Sequence, residues 1–501
     1  MKPSRTLGSR QWGERLWANA VSGWALVALR LVTGLIGFRV VWGHLNGAEL
    51  GFWYLLWSLA GVGVMIDLGM GVTAMRAAVR HGSDHDDTAL NRVVATCFWS
   101  IALLGAVLTI SAAVAYHAIL ASLHVLESDT IRRSWFIFLC GLTLVFPLPV
   151  LPEVLRGYHR MALINTVAGV QSIAQVIFLV AACHHRAPLD ILMAGSMIIM
   201  LAGGLAHLVI TFRVVPGLSL SPAYWSWATI RDQLNFSVSA YVMGIARVAM
   251  DAAPAVLVGR IIGIPSVALL QAACKPAQLL TQFGRQVEAS VQAGVGQLAE
   301  NGSPGTGAHI GLRAGLVVIA LVTPGIATAV VFPHLVVTAL TGNAEVAHQT
   351  KNLVWLALTG ALFALISELW RLTLIMIERP MLVAAQAMVQ LSLTVALMWI
   401  GIAGWGLGGG LAGLVLATAP CCIAQGFTLF RITRRDPPSP TPSPWTNVIM
   451  IVLPSSALAV LLGWLAPLPI MTPILDVLWR FFIVAIPLAL RWRWIAGYLA
   501  R

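Results

Sequence analysis

Val93-Val-Ala-Thr-Cys-Phe-Trp-Ser-Ile-Ala-Leu-Leu-Gly-Ala-Val-Leu-Thr-Ile-Ser-Ala-Ala-Val114 is an uncharged stretch that begins directly after Arg92. Its apolar residues cover every face of a helix, whereas a lipid-exposed strand would alternate. About 20 such residues cross the ~30 Å hydrocarbon core, and a helix satisfies its backbone hydrogen bonds within itself. Similar stretches recur along all 501 residues, of which 58% are hydrophobic and 10% charged. Soluble domains carry roughly 25% charged residues, so an ordinary soluble enzyme is excluded. The chain reads as an all-α polytopic membrane protein of about 14 transmembrane helices.

The spans read from the sequence are 20–42, 50–75, 92–118, 134–154, 162–183, 189–212, 234–259, 265–292, 313–338, 350–376, 381–400, 406–430, 447–466 and 473–490, the eighth being the least hydrophobic. A net charge of +12 would point to nucleic acid in a soluble protein. Here the basic residues mark topology, and no nucleic-acid partner is expected. Lys2, Arg5, Arg10 and Arg15 of the N-terminal tail share a side with Arg76, Arg80, Arg92, Arg156, Arg160, Arg213, Arg231, Arg313, Arg379, Arg431, Arg434 and Arg435, and with the C-terminal Arg491, Arg493 and Arg501. The opposite loops hold only Arg132, Arg133, Arg186, Arg260 and Lys351. Both termini are therefore expected in the cytoplasm. The six cysteines fall in or beside apolar runs without metal-ligand spacing, and no disulfide is expected.

The expected organisation is a cytoplasmic tail (1–19), an N-terminal six-helix lobe (20–215), a C-terminal six-helix lobe (231–435), a proline-rich cytoplasmic linker (436–446), and two further helices with a basic tail (447–501). The linker is Asp436-Pro-Pro-Ser-Pro-Thr-Pro-Ser-Pro444, which cannot continue a helix. Ser22-Gly-Trp-Ala-Leu-Val-Ala-Leu-Arg30 in span one is echoed 217 residues later by Ser239-Ala-Tyr-Val-Met-Gly-Ile-Ala-Arg247 in span seven. Six intervening spans give the halves one orientation, so a parallel repeat with a cavity between lobes is expected.

Gly47-Ala-Glu-Leu-Gly-Phe-Trp-Tyr-Leu-Leu-Trp57, continuing to Met65-Ile-Asp-Leu-Gly-Met-Gly-Val-Thr-Ala-Met-Arg76, resembles the first-lobe pattern of polysaccharide and oligosaccharide (O-antigen type) flippases. Leu155-Arg-Gly-Tyr-His-Arg160 is similar to that family's basic loop between helices four and five, and Val258-Gly-Arg-Ile-Ile-Gly-Ile-Pro-Ser-Val-Ala-Leu-Leu270 to its glycine-punctuated link between spans seven and eight. The resemblance covers most of residues 15–435 and points to the multidrug/oligosaccharidyl-lipid/polysaccharide exporter superfamily. Leu270-Gln-Ala-Ala-Cys-Lys-Pro276 departs from it, because many members carry an aromatic residue there. The resemblance implies an alternating-access bundle of the bacterial inner membrane. Its implied cargo is a polyprenyl-pyrophosphate-linked, anionic oligosaccharide, turned over from the cytoplasmic to the outer leaflet for polysaccharide biosynthesis. Polysaccharide polymerase and assembly proteins are candidate partners beside the membrane lipids.

A charge at bilayer depth costs at least ~2.5–3.5 kcal/mol on insertion scales, so each one needs a partner or a watery cavity. Arg30, Arg247 and Lys275 are cations at such depth and candidates for holding an anionic headgroup, since guanidinium groups fork onto phosphate oxygens. Snorkelling or pairing is the competing use for Arg30 and Lys275, pairing with Asp251 for Arg247, and snorkelling is favoured for Arg39. Asp67, Asp251, Glu288 and Glu368 are candidates for coupling or gating; Glu288 with Arg285 and Glu368 with Arg371 are spaced to neutralise one another. Pro147, Pro149 and Pro152 beside Glu153 mark a kink or hinge in span four.

No cofactor and no metal are expected, and a proton or Na+ is the candidate coupling ion. His81-Gly-Ser-Asp-His-Asp-Asp87 is read as a solvated loop in preference to a metal site or a sugar-nucleotide Asp-x-Asp. Trp53 and Trp57 serve either an interfacial belt or stacking on sugar rings. A membrane enzyme of polysaccharide assembly would be expected to show a large external domain, and the longest outer loop, 118–133, is short. The alternatives carried forward are a cell-wall lipid-precursor flippase, with the last two spans as a lipid groove, a cation-coupled drug exporter needing an unneutralised cavity acid, and that enzyme.

Overall fold

The computed structural model describes residues 9–65, 70–84, 86–123, 125, 127–300, 304–331, 333–377 and 380–435. Every regular element among them is helical, giving the expected all-α polytopic membrane fold. Among the described residues, eight helical segments are each long and apolar enough to cross a membrane. Their outward faces are apolar: on the helix of the opening stretch, Leu103 is 65% exposed, Ile110 63% and Val114 83%. Lipid solvates such side chains, whereas water would penalise them by about 25 cal/mol per Å².

Contacts divide the chain into Met1–Pro265 and Ser266–Arg501. The first unit holds α1 (Ser9–Trp42), α2 (Gly47–Met65), α3 (Met70–Asp84), α4 (Asp87–Val114), α5 (Tyr116–Ser122), α6 (Asp129–Val145), α7 (Val150–Gly157), α8 (Met161–His184), α9 (Leu189–Val214) and α10 (Trp227–Ile261). Within it α1 packs on α8, α6 on α9, α3 on α7, and α2 on α10. The helix α10 packs within the first unit. Where the chain turns out of α10 into the next helix it approaches α2 closely at Gly51, because a Cβ built there would lie 2.0 Å from the carbonyl oxygen of Ile264. Gly263 in the same turn has φ +124°, a conformation that favours glycine.

Local chemistry sets the helix ends. The Asp86 carboxylate accepts the Ala89 N–H at 3.0 Å and starts α4. Ser128 does the same for α6, and Ser226 for α10. Span four breaks at its prolines: α6 stops at Val145, and α7 starts after Pro149. Pro147 and Pro149 supply no N–H to continue the ladder. Glu153 lies in the first turn of α7 and pairs with Arg156 at 2.9 Å. The described parts of span two are α2 and α3, on either side of 66–69.

The segment after α9 is strapped to α4. Asn91 donates to Gly217 O at 2.9 Å and accepts from Ser219 N at 2.7 Å, while Trp99 Nε1 donates to Leu220 O at 2.8 Å and Trp225 Nε1 to Ser100 Oγ at 3.1 Å. This connection between the two expected lobes follows α4 closely up to Ser226, whose N–H reaches Thr96 Oγ1 at 3.1 Å.

The second unit contains α11 (Ile264–Glu300, from Ser266 onward), α12 (Pro304–Val331), α13 (Pro333–Thr341), α14 (Ala344–Met376) and α15 (Pro380–Arg435). Ala314, Val318 and Val322 of α12 meet Leu365 and Leu369 of α14 in a buried apolar cluster. Expected spans eleven and twelve are the halves of α15, bent where Trp405 and Gly406 leave helical geometry, Gly406 at φ +61°. The halves fold back so closely that a Cβ on Gly401 would sit 2.1 Å from Gly409 O. Small residues of this kind let helix backbones approach within a membrane. The linker 436–446 and the helices expected within 447–501 lie outside the described residues.

Candidate functional site

Arg30 lies on α1, which runs parallel to α8: Ser22 Oγ accepts from Asn165 Nδ2 at 2.9 Å, Leu29 packs at Gly169, and Gly37 at Leu179. At 1.5 Å per residue, Arg30 sits about 12 Å from the level of Ser22 and about 18 Å from that of Trp42, well inside the span. Its side chain is exposed on the flank of α1 and has no ion-pair partner among the described residues. One turn further along, a Cβ on Gly34 would meet nothing within 4 Å, so the helix presents an open strip beside this cation.

The other two expected cations differ from it. Arg247, half-buried on α10, and Asp251, exposed one turn later, each have an interaction partner. Lys275, half-buried on α11 ahead of Pro276, also has one and belongs to the second unit. Arg30 and Arg247 are therefore in the first unit and Lys275 in the second. Of the expected acids, Glu368 forms an ion pair with Arg371 on α14, as their three-residue spacing implied, and Arg371 is only 7% exposed. Asp67 lies outside the described residues, as do the side chains of Glu288 and Arg285.

The expected sugar-stacking pair is edge-to-face, with ring centroids 5.7 Å apart. Trp53 is buried, so in this conformation its ring packs protein; Trp57 is half-exposed. Further along α1 from Arg30, toward the C-terminal end of the helix, stands an aromatic cluster that sequence reasoning missed. Phe38 and Trp42 stack at 5.5 Å, and Tyr54 meets them at 5.5 Å and 6.4 Å. Four-residue spacing put Phe38 and Trp42 on one face of α1, but nothing in the sequence aligned that face with Tyr54. Tyr54 Oη and Trp57 Nε1 are sealed from solvent without a hydrogen-bond partner among the described residues.

The histidine-rich loop became a connector. His81 Nε2 meets Asp87 Oδ1 at 2.8 Å, while the Tyr158 hydroxyl bonds His81 Nδ1 at 2.6 Å, tying α3, α4 and the end of α7 together. Burial, aided by the Asp87 charge, pushes the Tyr158 phenol up to about 12. At the other end of the bundle Arg133 pairs with the buried Asp190 at 3.2 Å, and His44 Nε2 bonds Ala187 O at 2.7 Å.

No protein-family model and no curated protein matches the chain. Solved structures share its fold. A lipid II flippase, MurJ, in an inward closed conformation aligns at TM-score 0.69 and 11% identity over 95% of this chain and 98% of that one. A multidrug resistance MATE family transporter of the MOP superfamily aligns in its inward-facing conformation at TM-score 0.65 and 13% identity, covering 84% of this chain and 100% of the other. An outward-facing MATE structure aligns at 0.59 and 14%, over 84% and 96%. At these identities the likeness is one of fold.

Proposed function

We propose that the chain is a flippase that moves a polyprenyl-pyrophosphate-linked oligosaccharide from the cytoplasmic to the outer leaflet by alternating access, with Arg30 as the headgroup cation. The observation that carries this reading is a guanidinium well inside a span, on an open strip of α1, without an ion-pair partner among the described residues. Charge in such a place is retained for a ligand or pathway, and pyrophosphate is the anion a forked guanidinium holds best. Arg247 and Lys275 are further headgroup contacts in this reading. The fold shared with a lipid II flippase and with MATE transporters supports transport over synthesis. No covalent catalyst is needed; transport follows from differential binding to two states, with a proton or Na+ as the candidate coupling ion. Both termini face the cytoplasm of a bacterial inner membrane in this account.

A cell-wall lipid precursor is the second reading, supported by the MurJ alignment extending over 95% of the chain against 84% for the MATE structures. The drug-exporter reading needs an unneutralised acid, and Glu368 is neutralised by Arg371. The test is Arg30→Glu in the native host. Loss of surface polysaccharide, with the protein still in the membrane at wild-type level, is expected; normal polysaccharide assembly would remove Arg30 from the site. A host that instead accumulates cell-wall precursor would favour the second reading.

A further inference from the structure

Helices α8 and α9 each turn one side to lipid. On α9 the exposed residues include Ile198, Leu205 and Val209, and on α8 Val170 and Ile177. At about 100° per residue, the opposite side of α9 carries Ser196, Gly203, His207 and Thr211, and that of α8 carries Ile164, Gln171 and Gln175. The two polar sides meet. Gln175 Nε2 donates to Ser196 Oγ at 2.8 Å, and a Cβ on Gly203 would lie 2.5 Å from Gln171 Oε1. One turn beyond Gly203, the carbonyls of Ile164 and Gly203 lie beside the His207 ring. At 1.5 Å per residue the seam from Ser196 to Thr211 is about 22 Å long, most of the ~30 Å hydrocarbon core.

His207 stands apart within it. Ser196 and Thr211 return their hydroxyls to their own helix, to Leu192 O and His207 O, each at 2.7 Å. The imidazole is 9% exposed, and its Nε2 is buried without a hydrogen-bond partner among the described residues. An apolar side chain would fill that space and leave no nitrogen unused.

The charged groups around it lie elsewhere or are spoken for. The elements packed on α9 are α2, α6, α7 and α8. Asp129, Arg132 and Arg133 of α6 stand at the far end of the seam, where Arg133 pairs with Asp190. Glu49 and Tyr54 of α2, and Cys183 and His184 of α8, lie toward that end too, which the His44–Ala187 hydrogen bond closes. At the His207 end, Glu153 and Arg156 of α7 pair with each other, and Tyr158 turns its hydroxyl to His81. Arg160 is exposed at the start of α8, and Arg213 is exposed in the last turn of α9. A proton needs no cavity, only a basic nitrogen and acceptors beside it, and histidine is the side chain that ordinarily titrates between pH 5 and 8. Polar side chains strung through a membrane are the usual material of proton relays.

We propose that His207 is a proton-binding site of the first unit, reached along the α8–α9 seam, and that its protonation and release accompany transport. The ring takes a proton from water on one side of the membrane, with the Ile164 and Gly203 carbonyls as acceptors for its N–H groups, and returns it to water on the other. One N–H bond forms and the same bond breaks, so nothing else is consumed. The site deepens the transport reading, in which a proton is a candidate coupling ion, and adds an imidazole to the acids considered for that role. It does not depend on which lipid is carried.

The first test is the ring itself. Solid-state nitrogen NMR of the full chain in liposomes, with its histidines isotope-labelled, should show a signal absent from His207→Gln that passes from neutral to charged imidazole between pH 8 and 5. The second test is coupling. A gradient of about one pH unit across proteoliposomes is a tenfold proton ratio, so one-to-one coupling should shift the steady leaflet ratio of a fluorescent polyprenyl-pyrophosphate oligosaccharide about tenfold. Wild type should show that shift, and His207→Gln should reach the same ratio with and without the gradient; His207→Asn stands in where glutamine does not fold. A ring that stays neutral throughout, as one held by a bridging water would, overturns the site. So does a wild-type leaflet ratio that ignores the gradient, or a His207→Gln protein that responds to it as wild type does. A wild type that leaves this lipid in place while its ring titrates supports the site and overturns the cargo assigned above, so the two failures are distinguishable.

Discussion

Replacing Gly51 with alanine tests the contact of α2 with the turn between α10 and α11 and, through it, the idea of alternating access. The new Cβ would lie 2.0 Å from Ile264 O, where ordinary contact begins near 3.4 Å, so helix and turn must part by about 1.4 Å. Phe52, Leu55 and Leu56 leave α2 no slack, being at most 1% exposed. Overpacking of this kind costs about 1–3 kcal/mol, which shifts a two-state equilibrium about 5- to 150-fold away from the state that makes the contact. A reporter is built into the geometry. A Cβ on Gly47 falls 3.8 Å from Pro265 Cβ, the usual separation across a disulfide. In a background with the six native cysteines replaced, Gly47→Cys/Pro265→Cys should cross-link rapidly under mild oxidant, arrest transport, and recover with reductant. Adding Gly51→Ala should lower the cross-linking rate by the same 5- to 150-fold. Cross-linking at an unchanged rate would refute the packing argument, and transport by the fully cross-linked protein would refute the claim that this contact must open in the cycle.

Further perturbations follow from the same structure. Glu368→Gln leaves the buried Arg371 uncompensated and should cost about 3 kcal/mol, seen as a lowered melting temperature in detergent, with partial recovery when Arg371→Met is added. Asn91→Ala removes both hydrogen bonds to the 217–219 segment and should speed amide exchange there about tenfold while α8 is unaffected. The Tyr158 phenol, raised in the folded protein, adds stability that is complete below pH 10 and is lost as pH climbs toward 12. Tyr158→Phe should flatten that alkaline loss and leave stability at pH 7–9 without this pH dependence, which a pH series of thermal melts would measure.

The legible part of this molecule was the part written in local composition. Uncharged stretches of about 20 residues specify helices wherever they fall, and each of the first twelve expected spans coincides with helical residues. Prolines announced the break between α6 and α7, and three-residue spacing announced the Glu368–Arg371 pair. Non-local pairings were not legible. Gly51 reads as one glycine among 45 until Ile264 is placed against it. Tyr54 carries no signal in the sequence until Phe38 and Trp42 arrive from α1. His81 and Asp87 look like a solvated loop because Tyr158, their third member, is 77 residues from His81 in the chain. For Arg30, the sequence supplied depth and the lack of a nearby acid along the helix, and the structure added the open strip beside it.

The most direct test of the central claim is transbilayer movement in proteoliposomes containing the purified chain and a fluorescent polyprenyl-pyrophosphate oligosaccharide, scored by a membrane-impermeant quencher. Wild type should move the lipid to the quenched leaflet, and Arg30→Gln, folded to the same melting temperature, should fall about tenfold or more, as expected for a lost charge-assisted contact of at least ~1.5 kcal/mol. An Arg30→Gln protein that flips at the wild-type rate, or a wild-type protein that leaves this lipid in place while exporting a cationic dye, would contradict the account.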